Sequence, residues 1–144
     1  MKKDIGSAAQ GMTTLFERIL SGEIPSHQVA KGDGWYAFLD IFPRREGHTL
    51  VIPKEEVDRV WDLDPALLGD LHIFSQKVAL AMEAVIPCHR VGQAVIGLEV
   101  PHAHVHLIPL NAVSDINFER PKMSVTQDEL ADTAQLLRGA YAAL

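Results

Sequence analysis

The chain has 144 residues, of which 47% are apolar and 22% are charged, and its formal net charge is −6. This composition indicates one globular domain and excludes wholesale disorder and fibrous repeats. An acidic chain without a basic block is a poor candidate for binding nucleic acid polymers, although a mononucleotide needs only a local pocket. The single cysteine, Cys88, cannot build a disulfide framework or a cysteine-based metal site within one chain.

The N-terminal residues resemble neither a secretion signal nor a membrane span. Lys2 and Lys3 are basic, but no apolar segment follows them. No apolar run in the chain is long enough to span a membrane. We therefore expect a cytoplasmic protein without a membrane partner. Residues 1–12 are small and polar and are predicted to form a disordered extension, followed by a single domain over residues 13–144.

The first part of this domain predicts a short helix and two strands. Thr13 or Thr14 is a plausible N-cap for the helix, and Gly22 lies where a helix commonly ends in the left-handed conformation. The Gly-Asp-Gly sequence at 32–34 predicts a tight turn. The predicted strands of this part are at 35–41 and 48–53.

The second part predicts one long helix between two strand regions. Asp64 is its expected N-cap and Pro65 its first residue, and the helix should end near Pro87, because proline cannot continue it. The other predicted elements are strands at 90–96 and 102–109 and a C-terminal helix that begins at the capping box of Thr126 and Glu129. Short turns between strands, with helices at the flanks, predict an antiparallel α+β fold.

Three of the seven histidines fall within five positions, at His102, His104 and His106. We call these three residues the histidine cluster. They alternate with the apolar residues Ala103 and Val105. Successive side chains of a strand point to opposite faces, so the three imidazoles are expected to share one face at spacings of roughly 6.6 Å. The intervening apolar side chains should then enter the core.

The residues alone leave three interpretations of the histidine cluster open. It could be the polar face of a strand, but three imidazoles have no structural advantage there over Lys, Thr or Glu. His-x-His on a strand is also a common zinc ligand pair. Finally, imidazole is a nucleophile at neutral pH, and neighbouring imidazolium groups can hold phosphate oxygens.

The cluster resembles the His-Φ-His-Φ-His-Φ-Φ signature, with Φ apolar, of the histidine triad (HIT) superfamily of nucleotide hydrolases and transferases. Three other segments resemble the family's in order and spacing: an opening helix and Glu-Ile-Pro corner at 15–25, Asp-Ile-x-Pro within 38–43, and Gly-His-x-Leu-Val-Ile-Pro-Lys at 47–54. The likeness covers residues 13–110 and is greatest to bacterial members of the Hint-like branch. It implies a sheet of about five antiparallel strands with a long central helix and short flanking helices.

The resemblance implies a role for four histidines. His104 would be the nucleophile that attacks the α-phosphate of a nucleotide and forms a covalent nucleotidyl-histidine. His106 would donate to a phosphate oxygen, and His48 would reach the same phosphate from a neighbouring strand. His102 would orient the nucleophile and support its tautomer.

The resemblance also implies a nucleotide-binding cleft. Asp40 would accept hydrogen bonds from the two ribose hydroxyls, although an aspartate before a proline could simply stabilise a turn. Gly97, Leu98 and Glu99 would belong to a loop under the phosphate, where glycine lets backbone N–H groups approach an anion. The expected apolar lining of the purine slot, each member of which could also be an ordinary core residue, is Leu15, Phe16, Ile19, Ile24, Phe38, Ile41 and Leu50.

Two departures from the family pattern concern the leaving group and zinc. Many members have a hydroxyl residue where this chain has Glu99, and that hydroxyl is thought to help protonate the leaving group. Glu99 could replace it as a general acid or point away. Some members hold a structural zinc with a Cys-x-x-Cys pair, whose matching positions here are Thr14 and Glu17. We therefore expect no metal and no cofactor.

The resulting hypothesis is an enzyme that cleaves purine nucleoside phosphoramidates of the AMP type through His104. The alternatives are a dinucleoside polyphosphate hydrolase of the same fold, which Leu98 disfavours because glutamine is common there in that branch, and a nucleotide-binding module with incidental hydrolysis. Family members are usually homodimers, and the strand at 90–96 would be the natural edge for pairing. Within the C-terminal segment 111–144, Asn117 and Phe118 could reach over the partner's site.

Overall fold

A computed structural model describes residues 14–144, and the predicted extension at 1–12 lies outside the described residues. Helices are labelled α1 to α3 and strands β1 to β5. The helices are α1 (Leu15–Leu20), α2 (Pro65–Val85) and α3 (Gln127–Ala142), and the strands are β1 (Gln28–Lys31), β2 (Trp35–Leu39), β3 (Thr49–Pro53), β4 (Arg90–Ala94) and β5 (Val105–Leu110). Two short 3₁₀ helices span Val60–Asp62 and Val113–Ile116.

The five strands form one antiparallel sheet in the order β1-β2-β3-β5-β4, which confirms the predicted α+β class. Asp64 caps α2 and Pro65 begins it, as expected. The flanking helices are not all short, because α3 has 16 residues and packs against α2 and β1. Among residues 14–144, no helix is long and apolar enough to cross a membrane.

The strand register places the side chains of the candidate site, described below, on one face of the sheet. Phe38 of β2 lies opposite Leu50 of β3, which lies opposite His106 of β5. Directly opposed residues share a face, so these three side chains stand side by side, and Phe16 of α1 packs on Phe38 and Leu50. The neighbouring pairs Ala37–Val51 and Val51–Val105 face the other way, into the main core under α2 and α3.

The central strands are shorter than predicted. β5 begins at Val105, so His102 and His104 precede the strand. The last β3–β5 pair is Val51 with Val105, and the last β4–β5 pair is Ala94 with His106, so the earlier residues have no ladder partner. The predicted alternation nevertheless holds, because Ala103, Val105 and Leu107 all enter the main core. Three other strands are also shorter than predicted. β2 ends at Leu39 instead of 41, β4 ends at Ala94 instead of 96, and β3 begins at Thr49 instead of 48.

Candidate active site

A cleft of about 450 Å³ opens between α1, the Phe38–Leu50–His106 row and the loop between β4 and β5. His104 and His106 line one part of it together with Asp40. The cleft wall also contains all seven apolar residues expected to hold a purine: Leu15, Phe16, Ile19, Ile24, Phe38, Ile41 and Leu50. The structure therefore brings the apolar slot, the carboxylate and two of the histidines to one place.

His48 and His102 do not line the cleft. They are 1% and 0% exposed and lie behind His106 and His104 respectively. His48 contacts His106, and the carbonyl of His102 contacts His104. The two buried histidines therefore reach the cleft through their partners, and the role expected for His48 at a phosphate stays a prediction.

The hydrogen bonds around His104 fix its tautomer. Nδ1 of His104 lies 2.8 Å from the backbone oxygen of His102. A carbonyl can only accept, so Nδ1 carries the proton and the opposite nitrogen, Nε2, keeps its lone pair. The ring of His104 packs edge-on against Phe16, with centroids 5.0 Å apart, which restricts its rotation. The side chain thus presents an unprotonated nitrogen on a fixed ring.

A second chain of hydrogen bonds fixes the tautomer of His106. The backbone N–H of Arg44 donates to Nδ1 of His48 at 3.0 Å, so the proton of neutral His48 is on Nε2. That Nε2–H donates to Nδ1 of His106 at 3.0 Å. The remaining proton of neutral His106 is then on its own Nε2. Two neighbouring histidines of the cleft therefore differ: His104 offers a lone pair and His106 offers an N–H.

Burial keeps the histidines of this network neutral. It lowers the pKa of both His48 and His106 to about 3, and mutual repulsion among the rings adds to the effect. Burial also lowers the pKa of His102 and His104. The His102 carbonyl and the carboxylates of Asp40 and Glu99 oppose the shift at His104, because they stabilise its protonated form. Because the rings are neutral, each carries one ring proton, and the hydrogen bonds described above show which nitrogen holds it.

Asp40 serves a turn and faces the cleft at the same time. Its Oδ1 accepts the backbone N–H of Phe42 at 2.9 Å, which is the turn-stabilising role considered above. Its Oδ2 lies 3.8 Å from Nε2 of His48. Burial raises the pKa of Asp40, and the Phe42 N–H and nearby cations oppose that shift. Since each carboxylate oxygen can accept more than one hydrogen bond, the turn leaves acceptor capacity for a ligand.

The loop between β4 and β5 forms an exposed side of the cleft. Leu98 at its tip is 88% exposed, and Glu99 is exposed beside the opening. Gly97 has φ +73°, a left-handed conformation that favours glycine. All three residues line the cleft. Glu99 therefore borders the cleft, and its carboxylate is close enough to His104 to act on the pKa of that ring.

Sequence reasoning missed the cationic residues Arg44 and Lys122 at the other rim and gave Phe118 a different role. The Phe118 ring lies 4.7 Å from that of His106, and the Arg44 guanidinium stacks 5.0 Å above Phe118. Arg44 also donates to the backbone oxygen of Arg120, and Lys122 lines the cleft. Phe118 was expected to reach a partner's site, but it covers the cleft of its own chain. The only sequence signal for a role of Phe118 was its position shortly after β5.

Within residues 14–144, the candidate metal ligands that lie close together are better suited to hydrogen bonding than to holding an ion. The positions that match the family's Cys-x-x-Cys pair carry Thr14 and Glu17, which bond each other as a capping box. Ligand atoms of Asp40, His48 and His106 lie within 4.8 Å of one another. However, the Arg44 N–H occupies Nδ1 of His48, which leaves its proton on the very Nε2 that would have to bind the metal. This group is better explained as a hydrogen-bond chain.

Comparisons with known proteins agree with this geometry. A family model for the HIT domain matches residues 21–113. An adenosine 5'-monophosphoramidase of Saccharomyces cerevisiae is 37% identical over 98 residues, which is 66% of this chain but only 61% of the yeast protein. An uncharacterized HIT-like protein of Mycobacterium tuberculosis is 29% identical over 91% of this chain and 94% of its own length.

Solved structures of histidine triad proteins also superpose on this chain. A Hit-like protein from Bartonella henselae, described as involved in cell-cycle regulation, superposes with a TM-score of 0.77 at 28% identity, covering 89% of this chain and 96% of that one. A zinc-bound histidine triad family protein from Mycobacterium smegmatis gives 0.75 at 26% identity, covering 92% and 95%. The family model matches most of the domain, and His104 and His106 of the cluster face a cleft. This chain belongs to the histidine triad (HIT) superfamily of nucleotide hydrolases and transferases.

Proposed function

We propose that this protein cleaves purine nucleoside phosphoramidates of the AMP type through a covalent nucleotidyl intermediate on His104. The observation that carries the proposal is the 2.8 Å contact between Nδ1 of His104 and the His102 carbonyl, which leaves a lone pair on Nε2. Imidazole nucleophiles need such an unprotonated nitrogen. The likeness to the yeast phosphoramidase supports the choice of reaction.

In the proposed first step, the Nε2 lone pair of His104 forms a bond to the α-phosphorus. The phosphorus–nitrogen bond of the substrate breaks, and its electron pair leaves with the amine. We assign the proton that the amine requires to Glu99, because this side chain lines the cleft beside the histidines.

In the second step, a water oxygen attacks the phosphorus and the bond to Nε2 breaks. The proton of the water returns to Glu99, and AMP leaves. The N–H of His106 donates to a phosphate oxygen in both steps, and backbone N–H groups of the Gly97 loop offer further donors. Phosphoryl transfer depends mainly on positioning and charge stabilisation, which the fixed tautomers supply without reorganisation.

The nucleoside is proposed to lie with its base in the apolar slot and its ribose at Asp40. Phe16 and Phe38 meet edge-to-face at 5.7 Å and form a rigid aromatic wall for the purine. The slot offers apolar contact on several sides, which suits adenine and guanine alike. The free acceptor capacity of Asp40 suits the adjacent 2' and 3' hydroxyls of a ribose.

One observation favours a second candidate, a dinucleoside polyphosphate hydrolase. Arg44 and Lys122 line the cleft, and cationic side chains suit a leaving group that is itself a phosphate chain. The two candidates share the attack by His104 and differ in the bond that breaks, which is phosphorus–nitrogen in one and phosphoanhydride in the other.

Steady-state hydrolysis separates the candidates. The purified full-length chain is assayed with an adenosine phosphoramidate and with diadenosine polyphosphates, and AMP release is followed. Our proposal expects a kcat/KM at least tenfold higher for the phosphoramidate. A higher value for the polyphosphate would transfer the assignment to the second candidate. Tight AMP binding without turnover of either substrate would support the binding module instead.

We also propose a homodimer joined at the β4 edge. β4 ends the sheet, and the apolar side chains of Val95, Ile96 and Leu98 beyond it are exposed. An open edge with exposed apolar residues is usually covered. Light scattering coupled to size exclusion tests this: we expect twice the mass of one chain, and a single-chain mass at micromolar concentration would contradict it.

A further inference from the structure

One hydroxyl group outside the histidine cluster contacts the buried ring of His102. Oγ1 of Thr14 lies 3.3 Å from Nδ1 of His102, and both side chains are buried. On the other side of the ring, Nε2 lies 2.8 Å from the carbonyl of Pro53, so Nε2 carries the proton. Nδ1 is therefore an acceptor, and the Thr14 hydroxyl is its donor.

The same hydroxyl completes the cap of α1. Oγ1 of Thr14 accepts the backbone N–H of Glu17 at 3.0 Å, and the Glu17 carboxylate accepts the backbone N–H of Thr14. The hydroxyl can therefore accept from the helix and donate to His102 at once. This dual use orients its proton towards Nδ1.

We propose that Thr14 is a positioning residue for the nucleophile and acts through His102. The hydroxyl holds the His102 ring against Pro53, and the backbone carbonyl of His102 holds the Nδ1–H of His104. Without the hydroxyl, Nδ1 of His102 is a buried acceptor with no donor. Relaxation of that ring would move the carbonyl that sets the tautomer of His104. The catalytic part of this inference rests on the function proposed above.

Four variants of the full-length chain separate positioning from simple helix capping. Thr14→Ser keeps both the cap and the donor. Thr14→Asp keeps an oxygen that caps the helix but has no proton to donate when ionised. Thr14→Val loses both. Thr126→Val is the matched control, because Thr126 and Glu129 form the same capping box on α3 and are not among the residues that line the cleft.

The expected result is a split between kcat and KM. Thr14→Ser and Thr126→Val should retain kcat within about twofold. Thr14→Val and Thr14→Asp should lose about tenfold in kcat with little change in KM, which corresponds to about one lost hydrogen bond. Equal losses in Thr14→Val and Thr126→Val, or full activity in Thr14→Asp, would overturn the proposal.

A spectroscopic readout tests the same inference without activity. Nitrogen-15 NMR of the histidine rings reports which nitrogen carries the proton. We expect His102 to be protonated on Nε2 alone in the wild-type chain and in Thr14→Ser. A wild-type His102 protonated on Nδ1 would overturn the inference. Absence of turnover in every variant would instead count against the proposed function and leave the NMR result to decide this one.

Discussion

The backbone oxygen of His102 lies 2.8 Å from Nδ1 of His104, a residue only two positions later in the chain. This short-range contact is possible because the segment before Val105 is not part of a strand ladder, so the His102 carbonyl is free to turn towards a side chain. The contact places the proton on one side of the His104 ring and the lone pair on the other. The proposed chemistry and the predictions below depend on that arrangement.

Replacing His48 tests the second hydrogen-bond chain. His48→Leu removes the donor to Nδ1 of His106 and leaves that buried nitrogen without a partner, whereas His48→Gln keeps an N–H that can donate. We expect kcat to fall about tenfold or more in the leucine variant and less in the glutamine variant. Steady-state kinetics on an adenosine phosphoramidate measures this. Equal activities would mean that the His48–His106 bond does not orient His106.

The lowered histidine pKa values predict how folding stability depends on pH. His48 and His106 have a pKa of about 3 in the folded chain, against about 6.5 when unfolded. The unfolded chain then binds more protons below about pH 6.5, so stability is greatest above that pH and falls as the pH is lowered. Two such groups give a slope of order 2–3 kcal/mol per pH unit around pH 5.

Urea unfolding at several pH values measures that slope. The His48→Gln variant has one of the two groups removed and serves as the internal comparison. Its slope between about pH 6 and pH 4.5 should be smaller than that of the wild-type chain by about 1 kcal/mol per unit. Parallel curves for the two proteins would show that His48 titrates normally in the folded state.

Asp40 should discriminate ribose from deoxyribose. Its carboxylate has acceptor capacity to spare after the Phe42 turn bond. Wild-type kcat/KM should therefore be about tenfold higher for an adenosine phosphoramidate than for its 2'-deoxy analogue. Asp40→Asn keeps the turn acceptor but loses the charge, and it should lose most of this preference. An unchanged preference in that variant would remove Asp40 from the ribose site.

Glu99 is tested with a series of leaving groups. If its carboxyl group protonates the departing amine, Glu99→Gln should lower the rate most for strongly basic amines, whose departure needs the proton most. Weakly basic anilines, which leave more easily, should be affected less. The slope of log kcat against the amine pKa gives the answer. A uniform decrease across the series would mean that Glu99 acts otherwise than as the acid.

The sequence predicted the fold class and the members of the cleft because both depend on local patterns. Alternation around Val105 correctly separated the apolar core side chains from His104 and His106. The family motifs named the apolar wall, Asp40 and these two histidines, all of which line the cleft. The depth of His48 and His102 could not be predicted in this way. Their burial depends on where β3 and β5 stop pairing, which is a property of the assembled sheet.

The position of Phe118 over the cleft could not be predicted from the sequence for a similar reason. Phe118 meets His106 and Arg44 only because the chain after β5 folds back over its own cleft. That path is set by contacts such as the Arg45–Asp115 ion pair, which joins residues 70 positions apart. No periodicity or motif in the sequence encodes such a pairing, so the prediction assigned the segment to a partner chain.

The most direct test of the account is intact-mass spectrometry of the protein during turnover. The wild-type chain and His104→Ala are each mixed with an adenosine phosphoramidate and quenched within a time series. We expect a transient mass gain of one adenylyl group in the wild-type chain and none in the variant, which should still bind AMP. An adduct that persists in His104→Ala, or turnover without any adduct in the wild-type chain, would contradict nucleophilic attack by His104.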